Sequence, residues 1–76
     1  MKNQSLEYFL NLKYPISIYP EYAGGYTAMI PDLPGCMTQG EALEEVVMNI
    51  EEARQLWIES VYLSNKREIP RSSRKL

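Results

Sequence analysis

Histidine is absent from the 76 residues. Its absence removes the commonest general base, the usual activator of a serine or cysteine nucleophile and the commonest zinc ligand, so most hydrolase mechanisms drop out. Cysteine occurs once, as Cys36, which excludes an internal disulfide and every paired-cysteine metal motif and fits a reducing cytoplasm. With no histidine or nearby basic residue to lower its pKa, Cys36 reads as a small buried core residue, not a thiolate nucleophile. No apolar run approaches the roughly 18 residues of a membrane span, and the stretch through Leu12 lacks a secretory pattern. Glycine is too sparse for a phosphate-cradling loop, and Gly24-Gly25 lies where a hairpin turns, not at a helix start. No catalytic, cofactor-binding or metal-binding residue is assigned, and no internal repeat is present.

The chain is long enough for one domain and one core. A core this small gains from self-association, so a homodimer or higher homo-oligomer is expected. Hydrophobic residues make up 45% and charged residues 24%, which is the balance of a soluble globular chain and excludes wholesale disorder. The net charge of −2 hides an asymmetry: residues 41–60 hold six Glu against Arg54, whereas the end of the chain holds Lys66, Arg67, Arg71, Arg74 and Lys75 against Glu68.

Ser5 to Leu12 predicts a short helix with Leu6, Phe9 and Leu10 on one face. Alternation from Tyr14 to Tyr19 predicts a strand, with Tyr14, Ile16 and Ile18 facing the core and Ser17 and Tyr19 facing away. Pro20 to Gly25 reverses the chain, and Tyr26 to Ile30 forms the second strand of the hairpin. Then Pro31-Asp32-Leu33-Pro34-Gly35 makes an elbow, because each proline fixes its own φ and restricts the residue before it. Cys36 to Gln39 reads as a brief third strand. Gly40-Glu41 opens a long amphipathic helix with Leu43, Val46, Val47, Ile50, Ala53, Trp57 and Val61 on its core stripe and Glu44, Glu45, Glu51, Glu52 and Glu59 pointing away. The fold class is α+β, an antiparallel hairpin and short third strand packed on one long helix. The domain spans residues 1–65, and residues 66–76 form a basic, mobile tail without a period.

Tyr14 and Tyr26 are expected in the core. Tyr19, Tyr22 and Tyr62 are expected to be exposed, and Met48 and Leu56, with Leu63, fall off the core stripe; Tyr19, Tyr22, Met48, Leu56 and Tyr62 are therefore the candidate partner-binding residues. The basic tail could contact nucleic-acid phosphates, but it has no aromatics for stacking and the acidic helix would repel the same phosphates. A magnesium-dependent nuclease would need carboxylates gathered around the metal, and Asp32 with Glu41 is the pair to examine.

The run Gly25-Tyr26, Ala28-Met29-Ile30, Pro31-Asp32-Leu33-Pro34-Gly35-Cys36, Thr38-Gln39-Gly40-Glu41, Glu44-Glu45, Asn49-Ile50 and Glu52-Ala53 resembles the HicB family of antitoxins. The resemblance covers roughly residues 14–70. It makes Pro31, Asp32, Leu33, Pro34, Gly35 and Gly40 signature positions of a structural kind. It implies a partial RNase-H-like or ferredoxin-like unit that is not itself an enzyme and that neutralises a small HicA-type toxin cleaving messenger RNA. A stand-alone dimeric adaptor or RNA-binding regulator is the alternative on the same scaffold. Two departures stand out. Ala42 occupies a helix N-cap position where the family often has Thr, which forfeits a cap bond worth about 1 kcal/mol. Longer HicB proteins continue into a DNA-binding domain, and no such domain is expected within these residues.

Overall fold

The computed structural model describes residues 4–65 and 67–73. Its elements are α1 (Leu6–Leu10), β1 (Ser17–Pro20), β2 (Tyr26–Met29), β3 (Met37–Gly40) and α2 (Leu43–Ser64). The strands form one antiparallel sheet in the order β1-β2-β3. Ser17 pairs with Met29 and Pro20 with Tyr26, while Tyr26 pairs with Gly40 and Met29 with Met37. This is the expected β-β-β-α arrangement preceded by a short helix.

Because side chains alternate across a strand, Ala28 lies between Ile18 and Thr38 on the face turned toward α2. The core fills that space with Tyr14, Ala28, Ile30, Leu33, Cys36, Val46, Ile50, Ile58 and Ile69. No described helix packs on the opposite face of the sheet, since α1 lies against α2. At the end of β3, a Cβ on Gly40 would stand 2.8 Å from the Val46 nitrogen and 2.9 Å from its Cα. Glycine there lets the sheet and the start of the helix meet backbone to backbone.

Several boundaries differ from the sequence-based expectation. The first strand begins at Ser17, not Tyr14, because Pro15 cannot donate to a ladder. Tyr14 is buried as expected, but its hydroxyl donates to the Pro70 carbonyl at 2.7 Å, and Ile16 is exposed, not facing the core. The third strand is shifted by one residue, to Met37–Gly40.

Leu43 and Val47, placed on the core stripe by period alone, are 50% and 41% exposed, whereas Ile58 is fully buried. The cause is α1. Val47, Glu51, Arg54, Ile58 and Tyr62 descend one flank of α2, and α1 covers only the lower part of it. There Arg54 Nη1 donates to the Leu10 carbonyl at 2.6 Å, and the Phe9 and Tyr62 rings lie 5.9 Å apart. Above Arg54 the same flank meets water.

The helix begins at Leu43, with Ala42 as a cap lacking any side-chain bond. Part of the loss is made up by Glu45, whose Oε1 accepts the Glu41 N–H at 2.9 Å and stands in the first turn, where the helix dipole favours a carboxylate. Asn65 ends the helix in the left-handed conformation, with its N–H donating to the Val61 carbonyl.

The packed unit extends past the boundary drawn at residue 65. Ile69 belongs to the core, Ser72 Oγ donates to the Lys13 carbonyl, and the Ser73 N–H donates to Asp32 Oδ2 at 2.7 Å. Lack of period marks a segment without helix or strand. It does not mark one without partners. Lys66, Arg74 and Lys75 of the basic tail lie outside the described residues.

Candidate interaction surfaces

The elbow is two consecutive turns. In the first, the Leu33 N–H donates to the Ile30 carbonyl at 3.0 Å across Pro31-Asp32; in the second, the Cys36 N–H donates to the Leu33 carbonyl at 2.9 Å across Pro34-Gly35. Proline before a glycine at φ +82° is the pattern of a type II turn. The Ile30 N–H closes the loop onto the Cys36 carbonyl at 3.0 Å. Folded this way, the elbow drives Leu33 and Cys36 into the core. Trp57 Nε1 donates to the Pro34 carbonyl at 2.8 Å and ties the elbow to α2. Asp32 is committed to the Ser73 N–H.

Burial pushes the Cys36 thiol above its ordinary pKa, and the smaller pull of the Arg54 guanidinium opposes this. Such a thiol is held in its poorly nucleophilic form. Asp32 and Glu41 flank opposite ends of β3, so the strand, at about 3.3 Å per residue, holds apart the pair that a metal site would need to bring together. Among the described residues, no three His, Cys, Asp or Glu side chains form a group able to hold a metal ion. Nor is any described helix long and apolar enough to cross a membrane.

The residues expected to bind a partner separate onto two faces. Tyr19 stands on the uncovered face of the sheet, beside Ser17 on β1, Thr27 and Met29 on β2, and Met37 and Gln39 on β3. Tyr19 is the one ionisable residue among these six, and the Glu21 carboxylate is brought onto the same face by accepting a hydrogen bond from the Thr27 hydroxyl. Tyr22 is fully exposed at the tip of the hairpin. Met48 and Leu56 lie on the outer face of α2 together with Leu63, all exposed and interleaved with Glu45, Glu52 and Glu59. Tyr62 joins neither group. It is half-buried against Phe9, and its hydroxyl donates to the Gln4 carbonyl at 3.2 Å. Met37, an exposed apolar side chain that the sequence reading passed over, is recognisable only from its register opposite Met29.

Each edge of the sheet is capped in part. The bond from Ile30 N–H to Cys36 fixes the antiparallel alternation, so Met37 and Gln39 turn their backbone groups away from β2. Asn49 Nδ2 donates to the Gln39 carbonyl at 2.9 Å, and Glu45 takes the Glu41 N–H just beyond it. On β1, the bond from Glu21 N–H to Gly25 O puts Ile18 and Pro20 on the outer side, and Pro20 has no N–H to offer.

One small cavity, of about 210 Å³, opens between the end of α1 and α2, with Leu12, Lys13, Tyr14, Ile16 and Arg54 in its wall. Arg54 is not free to meet a ligand there, since Nε and Nη2 both donate to Glu51, at 3.1 and 2.9 Å, and Nη1 to Leu10.

The family described as HicB-like antitoxin of bacterial toxin-antitoxin system matches residues 14–75. A UPF0150 protein of Synechocystis is 43% identical over 56 residues, covering 74% of this chain and 77% of its own length. A UPF0150 protein of Thermoplasma acidophilum is 40% identical over 62 residues, 82% of this chain and 88% of its own. The protein named Antitoxin HicB 1 of Photorhabdus laumondii is 40% identical over 37 residues, 49% of this chain and 24% of its own length. With the match running from the segment before β1 to the residues that close over the core, the chain belongs to the HicB-like antitoxin family of bacterial toxin-antitoxin systems.

Proposed function

We propose that this protein binds and neutralises a HicA-type toxin that cleaves messenger RNA, and that the outer face of α2 is where the toxin docks. The observation that carries this reading is the charge of that face. Glu44, Glu45, Glu52 and Glu59 lie along a helix whose one cation, Arg54, is held by Glu51. A nuclease must hold RNA phosphates with lysine and arginine. A row of carboxylates competes for those same cations, so the antitoxin would speed its own encounter and cover the surface the RNA needs. Met48, Leu56 and Leu63 supply the apolar anchors that charge alone lacks. The protein acts by occupancy and performs no reaction. Both partners work in the cytoplasm, where the transcripts are, and the antitoxin works as a homo-oligomer.

Co-expression with the HicA-type toxin from the neighbouring gene tests the reading. Growth should be restored and the two proteins should co-purify. Leu56→Lys with Glu52→Lys should abolish both effects while leaving the circular dichroism spectrum unchanged. Failure of the wild-type chain to rescue or co-purify would overturn the proposal.

A further inference from the structure

We infer that the groove between α2 and β1, lined by Leu43, Val47, Ile16 and Ile18, is a slot for one basic amphipathic helix of the toxin. The inference rests on the toxin reading above and names a second surface that the partner uses, beside the outer face of α2.

The slot follows from a mismatch of lengths. α2 lies over β2 and β3 and does not reach β1, and among the described residues no helix covers that strand. α1 packs beside α2, but its 5 residues fill only the lower part of that position. Above Arg54, residues 43–53 of α2 run on for about 16 Å at the rise of an α-helix. The side chains left there are apolar. Leu43 and Val47 are 50% and 41% exposed, and Ile16, just before β1, is 37% exposed. Ile18 faces the same side of the sheet as Ala28 and is only half-buried. The small cavity walled by Lys13, Ile16, Glu51 and Arg54 is the foot of this groove, since Val47 stands one turn above Glu51. Packed helices lie 8–10 Å apart, so the space in line with α1 takes a helix of about three turns. A strand added to β1 would sit about 4.8 Å farther from α2 than β1 does, and would leave Val47 in water.

Charge selects whose helix enters. Glu44 and Glu51 stand on the rim between Val47 and Met48. Glu51 already holds Arg54, so Glu44 is the carboxylate presented to the incoming helix. A helix with an apolar stripe and lysine or arginine on its flank satisfies the slot and the rim together. The rim is continuous with the row of Glu on the outer face of α2, so one basic protein engages both. A second copy of this chain would bring Glu7 of its α1 or the Glu row of its α2, and so set like charges together.

Titration calorimetry of the purified chain with the purified HicA-type toxin tests this. Val47→Lys, at a site already exposed, should weaken binding at least tenfold with the circular dichroism spectrum and the urea midpoint unchanged, whereas Val47→Met should bind as wild type does. A bimane label on Val47→Cys should shift to the blue when toxin is added, and one on Met37→Cys, on the outer face of the sheet, should not; Cys36 is buried and stays unlabelled. A synthetic peptide spanning the toxin's most basic amphipathic helix should give the same shift and gain helical circular dichroism. Full affinity in Val47→Lys, or a silent label at Val47 in a complex that forms, would overturn the slot and leave docking on the outer face of α2 standing. Peptide binding without a gain of helix would overturn it as well, and so would a blue shift that appears when the chain is concentrated without toxin. Failure of the wild-type chain to bind toxin would overturn the toxin reading and the slot with it.

Discussion

The elbow at residues 30–36 and the hairpin turn at residues 20–25 are built from the same chemistry, proline followed by glycine at positive φ, yet they serve opposite ends. Gly35 has φ +82°, Gly24 φ +112° and Gly25 φ +83°. The elbow sends Leu33 and Cys36 into the core and is bonded to Trp57 and Ser73. The hairpin turn is held by its own Glu21, which bonds Gly25, Gly24 and Thr27, and it leaves Tyr22 in water. Local conformation makes a turn. Whether that turn belongs to the fold or to a partner is settled by what it carries inward.

The largest test of this contrast is Leu33→Ala. Its side chain is fully buried, so the truncation should cost roughly 2–5 kcal/mol, measured by urea unfolding. A loss below about 0.5 kcal/mol, the range of ordinary surface changes, would mean that the elbow is a connector and nothing more. Next come Gly35→Ala and Gly24→Ala. The added Cβ touches nothing in either case, so each should cost about 1–2 kcal/mol from backbone strain alone. Equal losses would confirm that the turns differ only in their inward side chains, and a far larger loss at Gly35 would break the comparison.

The third test uses pH. Burial first, then the nearby Asp32 carboxylate, raises the Tyr14 pKa above its ordinary value of 10.0. The folded state thus keeps the phenolic proton longer than the unfolded state. Tyr14's contribution is present below the unfolded pKa and is lost as pH rises through the folded one, when tyrosinate can no longer donate to Pro70. Urea melts at pH 8 and 11 should show an alkaline loss that is smaller in Tyr14→Phe; equal losses in the two proteins would mean that the bond from Tyr14 to Pro70 does not hold the C-terminal segment on the core. The smallest effect belongs to Tyr22→Ala, within about 0.5 kcal/mol of wild type. A larger loss would show that the hairpin tip is packed after all.

Much of the fold is legible in the residues themselves. Pro20 with Gly24-Gly25, and Pro31 with Pro34-Gly35, place the turns, because these residues restrict or widen φ wherever they stand. The apolar period of α2 and the alternation of β2 follow from geometry internal to each element. The candidate surfaces were legible only in part. Met48 and Leu56 stand off the core stripe and are exposed, whereas Tyr62, on the flank that carries Arg54 and Ile58, is claimed by Phe9 of α1.

By itself, then, the sequence determined the elements, their order and the acidic character of α2, since each depends on contacts a few residues apart. Tertiary structure alone decided which flank of α2 is covered, where Ile58 is buried and Val47 is not; that Ile69, in a stretch without period, completes the core; and that no described helix covers the outer face of the sheet. Each of these depends on which distant segment arrives at a surface, and no local spacing encodes that arrival.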